Sequence, residues 1–139
     1  MSRHRVLVIG VGSIGERHLR CFQATGRADL VFCEPNESLR NTVADRYHVT
    51  GYPDLKAALN AGRCDAAVVA TPAPLHIPIA TQLAEAGVHL LIEKPLSTTL
   101  DGTDALQEVV RRSRITVGVA YVLRAHPLLR SMREAIQSG

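Results

Sequence analysis

Tryptophan is absent from this 139-residue sequence, and aromatic side chains make up only 4% of it. Lysine is almost absent too: Lys56 and Lys94 stand alone among many arginines. A formal charge of +3 on scattered arginines, with no aromatics interleaved, argues against nucleic acid as a partner. Arg111, Arg112, Arg114, Arg130 and Arg133 fall near expected helix ends, where cations offset the helix dipole. No apolar run approaches the ~18 residues of a membrane span. The stretch Val6 to Ile9 is also too short for a secretory signal, so no membrane partner is expected. The cysteines are Cys21, Cys33 and Cys64, an odd number without metal-ligand spacing. Reduced, mostly buried thiols, no metal site and a cytoplasmic location are expected. What remains is 46% apolar and 21% charged, the composition of one globular domain.

Short β-branched runs alternate with amphipathic stretches. Strands are expected at Val6–Ile9, Leu30–Cys33, near Val49, and at Ala66–Ala70, Val88–Ile92 and Ile115–Val119. Helices are expected from Ser13 to Thr25, from Glu37 to Tyr47 behind the N-cap Asn36, and briefly after Asp54. Another runs from Leu75 to Ala86 and is stopped by Gly87. Thr98-x-x-Asp101 has the form of a capping box for a helix reaching about Arg112, and Pro127 opens a last helix to Gln137. Strict β/α alternation with apolar strands predicts an α/β fold: a doubly wound, mostly parallel sheet of order 3-2-1-4-5-6 with helices on both faces.

Gly10-Val11-Gly12-Ser13-Ile14-Gly15 follows the first strand and opens the first helix. That context makes G-x-G-x-x-G a dinucleotide fingerprint. Gly10 permits the turn, Gly12 lets the backbone approach a diphosphate, and Gly15 allows close helix packing. The N–H groups of Ser13 and Ile14 then face the phosphates at the positive end of the helix. Glu34 ends the second strand nineteen residues beyond Gly15. A carboxylate there can accept both ribose hydroxyls and repels a 2′-phosphate, which favours NAD. Arg40, one turn into the next helix, leaves NADP open. A methyltransferase also uses a glycine loop and an acid after strand two, but the three-glycine spacing argues against it. His18 lies four residues from Ile14 and from Phe22, a spacing that predicts local packing and capping.

Three residue sets in this order resemble one family: Gly10-x-Gly12-x-x-Gly15-x-x-His18, Thr71-Pro72-x-x-x-His76 and Glu93-Lys94-Pro95. Together they look like the glucose–fructose oxidoreductase/inositol dehydrogenase (Gfo/Idh/MocA) family of NAD(P)-dependent oxidoreductases. Tyr52-x-Asp54-Leu55 and Tyr121-x-x-Arg124-x-His126-Pro127 add weaker matches. The resemblance covers essentially the whole chain.

The resemblance implies a Rossmann domain over residues 1–120. Residues 121–139 would be a connecting segment and helix leading toward a second, substrate-binding domain that this chain does not contain. It implies that Lys94 is the catalytic amine, set beside the nicotinamide to hydrogen-bond the reacting oxygen and move its proton. Glu93 would contact the cofactor ribose or fix the lysine. Thr71 and Pro72 would line the nicotinamide side, with His76 alongside them on the inward stripe of its helix, where a structural role is expected. Pro95 would follow a cis peptide. Ala73 departs from the family, where asparagine is usual. Tyr121, Arg124 and His126 are the side chains expected nearest a substrate. The implied activity is hydride transfer between a nicotinamide cofactor and the hydroxyl or carbonyl of a sugar, polyol or related small molecule. Little turnover is expected from this chain alone, along with a loosely packed last helix and a homo-oligomer. The competing expectation is an NAD-sensing module, which needs Gly10, Gly12, Gly15 and Glu34 but not Lys94.

Overall fold

The apolar runs form one six-stranded sheet in the computed structural model, which describes residues 3–139. In chain order the elements are β1 (His4–Ile9), α1 (Ser13–Thr25), β2 (Ala28–Cys33), α2 (Glu37–Tyr47), β3 (Thr50–Tyr52) and α3 (Leu55–Asn60). Then come β4 (Ala66–Val69), a 3-10 turn (Ala73–Leu75), α4 (His76–Glu85), β5 (His89–Ile92), α5 (Thr103–Ser113) and β6 (Val117–Val119). A second 3-10 turn (Val122–Ala125) and α6 (Pro127–Ser138) close the chain. All pairings are parallel and the order is β3-β2-β1-β4-β5-β6, the doubly wound arrangement that the alternation predicts.

Side chains alternate across the strands, so each strand feeds two cores. Val8, Phe32 and Val68 face α1 and α2, and pack with Leu19 and Val43. Leu7, Ile9, Cys33, Val69, Leu90 and Ile92 face the other way, toward α3, α4 and α5. The change of face follows from handedness. The chain winds outward from β1 to β3, crosses through α3 to the middle of the sheet, and winds out on the opposite side.

The register decides where the site lies. Tyr52, Cys33, Ile9, Val69, Ile92 and Val119 stand on one level at the carboxyl ends of the six strands. One further row of hydrogen bonds crosses the sheet above them: Glu34 N–H to Tyr52 O, Gly10 to Cys33, Ala70 to Ile9, Glu93 to Val69 and Ala120 to Ile92. Gly10, Glu34, Ala70 and Glu93 therefore share a level.

One local expectation is corrected. Thr98 and Asp101 do not cap a helix. Asp101 bonds instead with Thr99, and α5 starts at Thr103 behind Gly102, which carries a positive φ of 76°. The short polar side chains satisfy each other within the loop and delay the helix. Of the thiols, Cys33 and Cys64 are buried but Cys21 is exposed. The last helix is exposed along its whole length, Leu128, Met132 and Ile136 included.

Burial pushes the Cys33 thiol up to about 11, helped by the Asp54 and Glu34 carboxylates, and it raises the Cys64 thiol as well. A thiol reagent at mildly alkaline pH should label Cys21 quickly and reach Cys33 and Cys64 only on unfolding. Peptide mapping reads this out, and rapid labelling of Cys33 in the native state would contradict it. Glu16 of α1 accepts from the Tyr47 hydroxyl (2.7 Å) and pairs with Arg46, tying α1 to the end of α2. Tyr47, then Arg46, hold its carboxyl below the usual glutamate range. A lowered folded value stabilises above the unfolded pKa of ~4.3, and the contribution fades as pH falls through the folded one. Glu16→Gln should lower Tm at neutral pH, with a smaller gap to wild type in acid, below the ordinary glutamate range. An equal gap at both pH values would contradict this reading.

Candidate functional site

The strand order reverses between β1 and β4, and crevices at such switch points open beyond the carboxyl ends of the strands. The glycine loop fills that position. Gly10 has φ 79°, a left-handed conformation that a side chain would strain, and a Cβ there would press on the Ala70 carbonyl at 3.0 Å. A Cβ on Gly15 would lie 1.8 Å from the Gly10 carbonyl oxygen, so α1 can fold back on its own loop only with glycine there. Gly12 differs: a Cβ on it would meet nothing within 4 Å. It is the N-cap of α1 and supplies no side-chain cap. The N–H groups of the first turn thus have no side-chain cap at the positive end of a 13-residue helix.

Glu34 lies one strand away, 9% exposed. Its Oε2 accepts from the Val11 N–H (3.2 Å) and its Oε1 from the Asn36 N–H (2.9 Å). Each oxygen keeps a further acceptor site. Arg40 donates to the backbone carbonyls of Glu34 (2.8 Å) and Pro35 (3.3 Å), so one of its nitrogens is committed to the turn.

On the β4 side, Thr71 and Pro72 follow Ala70. The Thr71 hydroxyl is the one buried side-chain polar atom without a partner among the described residues. His76 is 1% exposed. Its Nδ1 lies 2.9 Å from the Pro95 carbonyl oxygen and its Nε2 2.7 Å from that of Thr71. It joins the loop after β4 to the loop after β5.

Beyond β5 the chain reads Glu93, Lys94, Pro95, with a cis Lys94–Pro95 bond. Lys94 is exposed at the carboxyl edge. A cleft of about 440 Å³ opens beside it, lined by Ala120, Tyr121, Val122, Leu123 and Arg124. Tyr121 and Arg124 thus line the same cleft as Lys94, while His126 lies outside that lining and precedes α6.

His18 is a correction. It does not pack and cap locally: its Nε2 lies 2.7 Å from Glu93 Oε1, and both side chains are largely buried. Helical spacing alone hid this contact. Strand alternation would have found it, because Glu93 points to the same face as Leu91, the face on which α1 packs. Among the described residues no three His, Cys, Asp or Glu side chains are placed to hold a metal ion, and no helix is long and apolar enough to cross a membrane.

Comparison with known proteins agrees with this geometry. The UDP-N-acetylglucosamine 3-dehydrogenase of Acidithiobacillus ferrooxidans is 31% identical over 135 residues, covering 97% of this chain and 42% of that protein. The inositol 2-dehydrogenase/D-chiro-inositol 3-dehydrogenase of Shouchella clausii is 30% identical over 138 residues, covering 96% of this chain and 40% of the relative. The WlbA dehydrogenase of Bordetella pertussis, solved in complex with NADH and UDP-GlcNAcA, superposes with a TM-score of 0.90 at 27% identity, over 99% of this chain and 40% of that one. The chain therefore spans about two-fifths of the length of these relatives. Residues 4–121 match the GFO_IDH_MocA family, described as an oxidoreductase family with an NAD-binding Rossmann fold, and the chain belongs to that family.

Proposed function

We propose that the crevice at the switch point binds NAD, and that Lys94 serves hydride transfer to or from a hydroxyl or carbonyl carbon of a sugar, polyol or related small molecule. One observation carries the reading: the glycine loop, Glu34 and Glu93-Lys94 sit at one level on neighbouring strands around the reversal of strand order. From Glu34 to Lys94 the edge spans three strand spacings, about 14 Å.

The residues present fit a dinucleotide. The open space at Gly12 and the uncapped first turn of α1 suit a diphosphate, which Gly10, Gly12, Ser13, Ile14 and Gly15 would hold through main-chain N–H groups. The free acceptor sites of Glu34 suit the two ribose hydroxyls. The unpartnered Thr71 hydroxyl, Pro72 and Glu93 would border the nicotinamide end, with His76 fixing that border. When bound, the nicotinamide supplies or takes up the hydride. Lys94 hydrogen-bonds the reacting oxygen and takes or returns its proton at Nζ. Tyr121 and Arg124, in the cleft beside the amine, face the substrate, with His126 further out. A carboxylate at Glu34 favours NAD over NADP, since a 2′-phosphate would meet its charge.

In this reading the dinucleotide unit is residues 1–120, and residues 121–139 lead toward a further domain that completes the substrate site. The relatives' greater length supports that division. Turnover by this chain alone is then low, because substrate positioning is worth several powers of ten in rate. The exposed apolar side chains of α6 support self-association. Three free thiols support a cytoplasmic setting. A non-catalytic NAD-sensing role is the second reading; it would leave Lys94 beside its apolar cleft without a task.

Calorimetric titration with NAD and NADPH tests this reading. Wild type should prefer NAD, and Glu34→Gln should weaken NAD binding by about tenfold and narrow the preference. No heat with either nucleotide would refute it. The glycines should separate cleanly. Gly12→Ala should fold normally, since its backbone lies at φ −61° in open space, yet lose at least about tenfold in NAD affinity. Gly15→Ala should cost about 1–3 kcal/mol of stability or more in a denaturant melt, because its Cβ meets backbone. Equal effects of the two substitutions on folding would contradict the loop geometry.

A further inference from the structure

The His18–Glu93 contact joins the two halves of the candidate site. His18 stands one turn past the glycine loop on α1. Glu93 directly follows β5 and immediately precedes the exposed lysine. Their side chains are 17% and 13% exposed, and Nε2 approaches Oε1 to 2.7 Å. The other carboxylate oxygen, Oε2, accepts from the main-chain N–H of Lys94 at 3.2 Å. A single carboxylate is therefore gripped on one side by the helix that carries the diphosphate loop, and on the other grips the backbone of the amine. Parity makes this possible: residues 91 and 93 point toward α1, while Lys94 sits where the strand leaves the sheet. A carboxylate with two directional partners has one rotamer available; with one partner removed it is free to swing toward solvent, and the turn that carries the lysine loses its anchor.

We propose that His18 is a positioning residue for Lys94. By donating Nε2–H to Glu93, it sets the carboxylate that holds the Lys94 backbone, and so fixes the amine relative to the glycine loop. This rests on the reading of Lys94 as the reactive amine. His18 itself touches no reacting atom. The role requires a proton on Nε2 whatever the state of the other ring nitrogen.

Amide hydrogen exchange by NMR on this 139-residue chain tests the proposal. In His18→Leu, which keeps bulk and removes the donor, the Lys94 amide should exchange about fivefold to tenfold faster. The β5 amides of Leu90, Leu91 and Ile92 should be unchanged, which a general loss of stability would not allow. His18→Gln, which keeps a donor, should recover most of the protection. Lys94 exchange that is equal in wild type and His18→Leu would overturn the proposal. If His18→Leu fails to fold, the wild-type ring still decides. A long-range ¹H–¹⁵N spectrum at neutral pH should show Nε2 of His18 protonated, and an unprotonated Nε2 would overturn it. NADH titration of the same samples keeps the two readings apart. A chain that binds no NADH refutes the dinucleotide reading while the Lys94 comparison stands on its own.

Discussion

Parallel pairing in one continuous register brings six strand ends to a common level, and every feature of the candidate site hangs from that level. The hydrogen-bond row through Glu34, Gly10, Ala70, Glu93 and Ala120 continues the sheet one residue beyond its strands. The loops that follow leave the sheet from fixed starting points. The glycines then act at close quarters. Gly15 lets α1 rest on the Gly10 carbonyl, and that contact aims the uncapped helix start across the crevice. A slip of one residue in β1 or β4 would turn Gly10 or Ala70 to the wrong face and close the space that Gly12 leaves open.

Polar side chains then tie the loops to that frame. Glu34 reaches back to the Val11 N–H, His76 bridges the loops after β4 and β5, and Glu93 is shared between α1 and the Lys94 backbone. Each is at least partly buried and each has named partners, as buried polar groups require. The lysine itself is left exposed beside an apolar cleft, at the end of the edge that Glu34 begins. The arrangement is asymmetric: the β1 side presents main-chain N–H groups at an uncapped helix start, and the β5 side presents a long exposed side chain whose own backbone N–H is held by Glu93.

Much of this was legible in the residues. Apolar β-branched runs separated by amphipathic stretches gave the strand order, because handedness leaves few ways to wind such a chain. The glycine spacing fixed the loop, since Gly10 and Gly15 answer to backbone constraints that no other residue meets. Local competition was harder to read. Thr98 and Asp101 have capping-box spacing, yet Asp101 bonds with Thr99 and α5 begins behind Gly102. His18 sits on a plausible helical stripe, and its partner lies 75 residues away. Contacts of that kind need the parity of a distant strand as well as the period of one helix. The double anchoring of His76 likewise depends on where the loop after β5 returns.

The central claim is that a dinucleotide lies across this edge with its diphosphate on the first turn of α1 and its nicotinamide at Lys94. Intermolecular NOEs between NADH and the isotope-labelled chain measure this most directly. The account predicts contacts from the nicotinamide protons to the Lys94 side chain and from the adenosine ribose protons to the β2–α2 turn around Glu34. Nicotinamide contacts on the Glu34 side, or NADH contacts confined to any other surface, would contradict it.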